Sequence, residues 1–502
     1  ASGPSSATIS CVGGALVLVA LLGCAAASLF AGVLVGEPGT TAELDACVVR
    51  GTRPEADGRL GRGVEVIAGA TLIARRCVIE GNREHGVLVN GAEAAATLED
   101  CVVRANVSGS DVGSGHGLTS YGGATLRVRA SLVEDNAEFG VFTGTGAQAE
   151  LESCVVRRTR PFPGRTQGTG LVALLGGTLR ASNTLVADNA VVGVVVRNQN
   201  SRVELRDVTV RNTTPAADAA GGAGILAEDH GALTARGLRV EGNPDVGVRL
   251  GGEGTRAEME SSVIRDTRPR RDGSQGLGLL VFDRASFTGT RLLVAENHQT
   301  GVAAYGDATL VALASSVIRD TRLAPLGLSS GGVVTESGAT LRASQALVQD
   351  NGNLGVGASG PGARVELMAC VIRGTRPRQN GESGVGLGAE AGATLSATRT
   401  LVEGNATAGV VATGAGTRIT LAGCGVRDTR SNEPGTFGRG VEANAGATLD
   451  MTATLVAQSA EAGVIVAGSR AWLSDVWIVD VTPSRRGLGV GDGAAGGDER
   501  RE

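Results

Sequence analysis

The chain contains no lysine, and only 11 of its 502 residues are aromatic. An interior without rings has to be built from Val, Leu, Ile and Ala, which suit thin repeated layers better than a thick globular core. Every basic residue is therefore Arg, and the net charge of −5 is small for this length. That balance gives no global attraction to nucleic acid or to an anionic membrane surface. No stretch sustains the 3.6-residue apolar period of an amphipathic helix, so the helical half of a leucine-rich repeat is missing. What is plentiful is Gly, 79 residues, set among β-branched residues, the composition of many short strands joined by tight turns.

Internal periodicity organises the whole chain. Aligned on segments such as Leu98-Glu-Asp-Cys101-Val-Val-Arg104, one position is filled by Cys47, Cys77, Cys101, Ser131, Cys154, Thr184 and their successors to Val476, seventeen positions in all. Their spacings alternate 30 and 24 residues, with single departures to 23 and 22, so the unit is a pair of turns totalling 54. The short turn reads as at 338–360 and the long turn as at 362–392, with extra residues after Thr-Arg-Pro. Each turn carries three short strand signals.

The recurring pattern apolar-x-x-Asn-x-x-x-Gly-apolar stands as Val133 to Asn136 to Gly140-Val141, as Val186 to Asn189 to Gly193-Val194, and as Val402 to Asn405 to Gly409-Val410. In this the sequence resembles the right-handed β-helix repeat family, the architecture of pectate-lyase-like proteins, over nearly its whole length. The resemblance implies an all-β, right-handed parallel β-helix solenoid of about 17 turns, alternating 24 and 30 residues in a 54-residue double repeat. It specifies no activity, because such solenoids host lyases, hydrolases, adhesins and inert spacers alike. Turns ~4.8 Å apart would make a rod of roughly 80 Å.

Strand alternation assigns the faces. An outward Arg104 makes Val102 outward and sends Cys101 and Val103 inside. Asn82, Asn106, Asn136 and their successors are expected to take a left-handed bend and to form a stacked ladder, with Thr52, Thr159 and Thr213 in its place in the long turns. Gly86, Gly140 and Gly193 suit a corner from which Cβ is excluded. The outward position alternates Arg50, Glu80, Arg104, Glu134, Arg157 and onward to Arg427, a ladder of opposite charges worth ~0.2–1 kcal/mol per pair. A second outward line, from Val48, Val78 and Val102 to Leu401, is a stripe of β-formers through which copies could self-associate.

The division expected is an apolar segment over 1–36, one β-helix domain over 37–488 and a Gly-rich charged tail over 489–502. Residues 12–35 are uncharged and long enough to span a membrane, and Leu21-Leu22-Gly23-Cys24 looks like a lipoprotein signal box. Against both, subtracting 54 from Leu72, Asn82, Gly86 and Val87 lands on Leu18, Ser28, Gly32 and Val33, the register of a degenerate capping turn. Both readings stay open, and the anchor is the one expected route to a membrane. Six of the eight cysteines share the inward column, which reads as buried thiols used as small packers rather than a disulfide frame or metal site.

Enzymes of the resembled group gather Ca²⁺-binding acids with a basic residue, or several Asp, on one sheet face. No such cluster is legible here, and His85, His116, His230 and His298 read as solvated residues at unrelated positions. No catalytic residue, metal or cofactor is expected. The most repetitive exposed feature is a column at every second turn, Arg53, Arg160, Arg268, Arg322, Arg376 and Arg430, to which the loops add Arg165, Arg270, Arg271, Arg378 and Arg439. Arg presents paired donors to carboxylates, so an acidic polysaccharide or cell-surface glycan is the expected partner, with no role in nucleic-acid binding. The expected function is a non-enzymatic secreted or surface rod of bacterial origin; the alternative is a carbohydrate-active enzyme, a polysaccharide lyase or glycoside hydrolase.

Overall fold

A computed structural model describes residues 6–10, 31–53, 60–107, 115–162, 167–215, 222–323, 330–378, 381, 383–431 and 437–482. All regular structure in these residues is β, and every pairing is parallel. The chain coils as a right-handed β-helix of three sheets. Each turn contributes a five-residue strand such as Thr71–Arg75, a three-residue strand such as Val78–Glu80, and a six-residue strand such as His85–Asn90. The three- and six-residue sheets each hold 17 strands, and the five-residue sheet holds 18 because Ser6–Ser10 pairs with Thr41–Asp45.

Alternation places the core where the sequence period puts it. In the five-residue strands Leu72 and Ala74 point inward, in the three-residue strands Ile79, and in the six-residue strands Val87 and Val89, all fully buried. The seventeen-position column lies just ahead of the three-residue strands, and from Cys47 to Thr454 it is buried. The six-residue sheet is also apolar outside, where Leu88, Val172 and Ala303 are buried, as parallel sheets tend to be on both faces. The stripe on the three-residue sheet is half-buried from Val78 to Leu401 and exposed at Val48.

Two of the three corners are held by buried side chains. At the first, between five- and three-residue strands, one residue is left-handed: Arg76, Asp100, Ala130, Ser153. The Ser131 hydroxyl donates to the Arg129 carbonyl at 2.7 Å and accepts from the Cys101 amide at 3.0 Å. Thr184 and Ser262 repeat the arrangement. The six column cysteines lie 3.1–3.6 Å from the carbonyl two residues back, so they pack and also donate weakly.

The second corner corrects the reading of Asn and Gly. The left-handed residue is not Asn but the residue before it: Gly81 ahead of Asn82, Asp135 ahead of Asn136, Asp188 ahead of Asn189. Asn instead turns inward and bonds to the previous turn. Asn351 Oδ1 accepts from the Thr321 amide at 3.1 Å, while its Nδ2 donates to the Ile318 carbonyl at 3.1 Å. The same pair of bonds recurs at Asn189, Asn243, Asn297 and Asn405. Asn bonds Asn side chain to side chain only along Asn82, Asn106 and Asn136; elsewhere the ladder alternates Asn with Thr. The Gly column sits inside the six-residue strands rather than at a corner, with ordinary φ, and its missing Cβ makes room for the ladder. A Cβ on Gly332 would lie 2.7 Å from Asn351 Nδ2 and 2.8 Å from the Gly355 carbonyl.

The ends depart from the expected division. Ala31–Val35 is a five-residue member of the sheet of six-residue strands, and its Val33 pairs with Val64, so the solenoid starts ahead of residue 37 because Val33 and Val35 supply its inward residues. The strand beside Thr41–Asp45 is Ser6–Ser10, eleven residues earlier than a constant repeat places it. Residues 11–30, with Leu18, Cys24 and Ser28, lie outside the described residues, as do 483–502 with both the end of the expected domain and its tail. No helix among the described residues is long and apolar enough to cross a membrane. In the last described turn the core opens: Leu473 and Ile478 are exposed, and so are Trp472 and Trp477, the only tryptophans of the chain.

Asn351→Ala orphans a buried amide and a buried carbonyl together, and Gly332→Ala displaces the same Asn. Each is expected to cost about 2 kcal/mol or more in denaturant unfolding, whereas the half-buried Thr340→Ala should stay within about 0.5 kcal/mol.

Candidate functional site

The second corner sends side chains outward as well as inward. On its outer side run three columns: the last residue of each three-residue strand, the left-handed residue after it, and the residue following Asn or Thr. Over the seventeen turns they hold sixteen arginines against twelve acidic residues, a positive surplus in a chain whose net charge is −5. The ladder of alternating charge is present as read: Arg104–Glu80, Arg157–Glu134, Arg265–Glu241 and Arg427–Glu403 each close to 2.8 Å.

Arg53, Arg160, Arg268, Arg322, Arg376 and Arg430 are all exposed and occupy one column of the long turns, but Val107 and Thr214 fill that place in two of them, so Arg recurs at every second turn only from Arg268 to Arg430. Arg160, Arg268 and Arg376 are held by isolated parallel bridges to Ala137, Pro244 and Gly352 of the turn below. The column is not purely basic, because the left-handed column beside it favours Asp. Arg160 lies 3.7 Å from Asp135, Arg268 3.5 Å from Asp266 and Arg376 3.7 Å from Asp320. Arg322 meets Glu296 at 3.8 Å and the His298 ring nitrogen at 3.2 Å.

Of the loop arginines, three point back onto the protein. Arg270 makes two bonds to Asp245, at 2.8 and 2.9 Å, and Arg378 bonds Asn353 at 3.0 Å in the equivalent place two double repeats later. Arg439 pairs with Glu442 and Glu461. They fasten the long loops, since Asp245 and Asn353 are themselves left-handed bend residues that a side chain can brace. Arg271 is exposed, and Arg165 lies outside the described residues.

A second polar cluster was not anticipated. His85 and His116 are register partners at the start of adjacent six-residue strands, not solvated residues at unrelated positions. Both are 92% buried, and their rings meet edge to face at 5.0 Å. The Thr119 hydroxyl lies 3.1 Å from His85 Nδ1 and 3.2 Å from His116 Nδ1. Beyond the rings, His116 Nε2 lies 3.5 Å from the buried Glu138 and His85 Nε2 3.9 Å from Glu84, which also pairs with Arg62. Phe139 and Phe142 pack on His116. The result is a chain of polar groups, Glu138, His116, Thr119, His85 and Glu84, crossing several turns. A signal for it existed: each His directly precedes a Gly of the strand column. His230 is exposed, as expected. Among the described residues no group of three or more His, Cys, Asp or Glu is placed to hold a metal ion.

Architecture and surface together define the class: a parallel β-helix solenoid with a charged corner. The family model for the right-handed beta helix region matches residues 22–156, 140–318 and 223–426, and the chain belongs to that family. No curated protein sequence matches it. Among solved structures it is similar to the pectate lyase Pel9A, with 10% identity, 56% of this chain and 70% of that chain covered, and a TM-score of 0.32. It is also similar to the periplasmic alginate epimerase AlgG, with 11% identity, 82% and 77% covered and a TM-score of 0.34. The A-module of a mannuronan C-5 epimerase of Azotobacter vinelandii gives 12%, 87% and 90%, and 0.24. Scores this low say nothing of the chemistry of this chain.

Burial, followed by the charges of His116 and Arg62, holds the His85 imidazole well below its usual value. The unfolded chain then binds the extra proton first as pH falls, so His85 contributes its full stability above about pH 6.5 and loses it on acidification. Denaturant unfolding of the full chain between pH 7.5 and 5 should show stability falling, with a shallower fall in His85→Gln. Equal slopes would contradict the assignment to His85.

Proposed function

We propose that this chain is a non-enzymatic rod, secreted or displayed at a bacterial surface, that binds an acidic polysaccharide along the arginine corner. One observation carries the reading: exposed arginines of a single column recur in strand register, at every second turn from Arg268 through Arg322 and Arg376 to Arg430, on a corner whose charge is opposite in sign to the chain as a whole. Parallel strands ~4.8 Å apart put those arginines ~9.6 Å from one another, and each guanidinium offers a planar pair of donors to a carboxylate or sulfate. The nearby acids reduce the field without cancelling it. Their contacts with the guanidiniums lie mostly beyond 3.5 Å, and a ligand carboxylate can displace them. Exposed pairs of this kind are individually weak, ~0–1 kcal/mol.

The alternative, a polysaccharide lyase or glycoside hydrolase, draws on the buried contact of His116 with Glu138, an arrangement suited to moving a proton. Product formation from pectate or alginate that disappears in His116→Gln would favour it over the rod.

Retention on immobilised polygalacturonate should fall with rising salt and should drop several-fold for the triple variant Arg268→Ser, Arg322→Ser, Arg376→Ser. Equal retention of the variant and its parent at all salt concentrations would sink the arginine-corner reading.

A further inference from the structure

The outer face of the six-residue sheet is mostly apolar, and one place on it is hollow. In register, its middle outward column runs Leu280, Ala303, Val334, Gly357, Gly388, Val411. Gly357 and Gly388 are the only glycines of that column among the described residues, and they fall on adjacent turns. Neither has a positive φ, so the backbone does not demand glycine there. Over them lies a surface cavity of about 260 Å³, walled by Val334, Leu354, Val385 and Val411. The Leu354 side chain leans across the floor: a Cβ on Gly357 would come within 2.3 Å of it and one on Gly388 within 3.1 Å. Nothing else comes within 4 Å of that point at Gly388.

Charges of opposite sign that the protein does not pair stand at the two ends of this cavity. At one end Glu336, Ser359 and Glu390 occupy a single outward column on three successive turns. The Ser359 hydroxyl donates to Glu390 at 3.1 Å, Glu336 has no side-chain partner, and among the described residues no Arg lies within 4 Å of either carboxylate. Burial, followed by the charge of Glu390, raises the Glu336 carboxyl above its usual value, as expected of negative charge crowded without a cation. At the other end stands Arg378. Its Nε donates to Asn353 Oδ1 at 3.0 Å, and Asn353 Nδ2 donates to the Ser330 carbonyl at 2.9 Å. The two Nη groups of Arg378 have no partner among the described residues. Asn353 directly precedes the strand Leu354–Ser359, so Arg378 is fixed at the start of a strand whose far end carries Ser359. Five steps of strand at ~3.3 Å set these ends ~17 Å apart at the backbone, and the Arg and Glu side chains that line the cavity narrow the gap.

We infer that this cavity binds a small aliphatic zwitterion of the ω-amino carboxylate class. Its ammonium lies at Glu336 and Glu390, its methylenes lie on the Gly357–Gly388 floor against Leu354 and Val411, and its carboxylate meets the Arg378 Nη groups. An α-amino acid is too short to reach both ends. The site is independent of the arginine corner, because carboxylates at one end and an apolar floor disfavour an acidic glycan.

The full chain is titrated by calorimetry at low salt with glycine, 4-aminobutanoate, 6-aminohexanoate and 8-aminooctanoate, with hexylamine and hexanoate as single-ended controls. Glycine should not bind, affinity should rise with the number of methylenes, and 6-aminohexanoate should bind ~10-fold or more tightly than either control, the gain from one further charge-assisted hydrogen bond. Glu336→Gln removes no side-chain contact of the fold and should erase most of the advantage over hexanoate. Gly388→Val places in the cavity a side chain that the next turn already carries at Val411; with an unchanged thermal unfolding midpoint it should abolish binding. Retention on polygalacturonate should be the same in both variants as in the parent. Binding that survives Gly388→Val, 6-aminohexanoate no tighter than hexylamine, or no binding by any of the series would overturn the inference and leave the arginine-corner reading untouched.

Discussion

At every second corner of this solenoid an asparagine or threonine and a glycine compete for one small interior space, and the fold exists in this form because glycine yields it. The Asn side chain has to enter the core to reach an amide and a carbonyl that the bend strips from the strand ladder. It fits only where the stacked residue of the six-residue strand has no Cβ. The rest follows from that exchange. With the bend satisfied inside, the residue before Asn is left-handed and faces out, which favours Gly and Asp there and, Arg158 apart, sets an acidic or neutral residue beside the arginines. The first corner solves the same problem with Ser, Thr and Cys, whose groups are too short to need a glycine opposite them.

A rod built this way repeats its surface as faithfully as its core. The inward columns tolerate only small changes, since each residue touches its counterparts one turn above and below. The outward columns carry no such constraint. Variation there is informative. The histidine pair is the opposite kind of feature: a buried polar chain confined to the turns around residues 62–142, on a sheet whose outer face is mostly apolar.

Most of the architecture was legible in the sequence because a solenoid converts position in the repeat directly into position in space. The inward column from Cys47 to Thr454, the charge ladder from Arg50 to Arg427 and the exposed arginine column could all be read from spacing alone. The left-handed residue was misplaced by one, because Asn is itself a common left-handed residue and nothing in the pattern distinguishes Asn82 from Gly81 until hydrogen bonds are counted. Pairings such as Arg270 with Asp245 escaped because they depend on how a loop of variable length folds back. The His85–His116 contact was missed because a long loop of unusual sequence separates two strands whose shared His-Gly start is the only sign of their register. Side-chain partners 22–34 residues apart are adjacent in this fold, and only a strict alignment of turns reveals them.

The central claim is that buried Asn, accommodated by Gly, holds the corner amides as firmly as the strands hold theirs. Native-state hydrogen exchange on the full chain tests it directly. The amides of Thr159, Thr213, Thr267, Thr321 and Thr375, each bonded to an Asn of the next turn, should exchange as slowly as those of neighbouring core strands such as Val186–Ala187. Exchange at the rate of exposed loop amides would contradict the account.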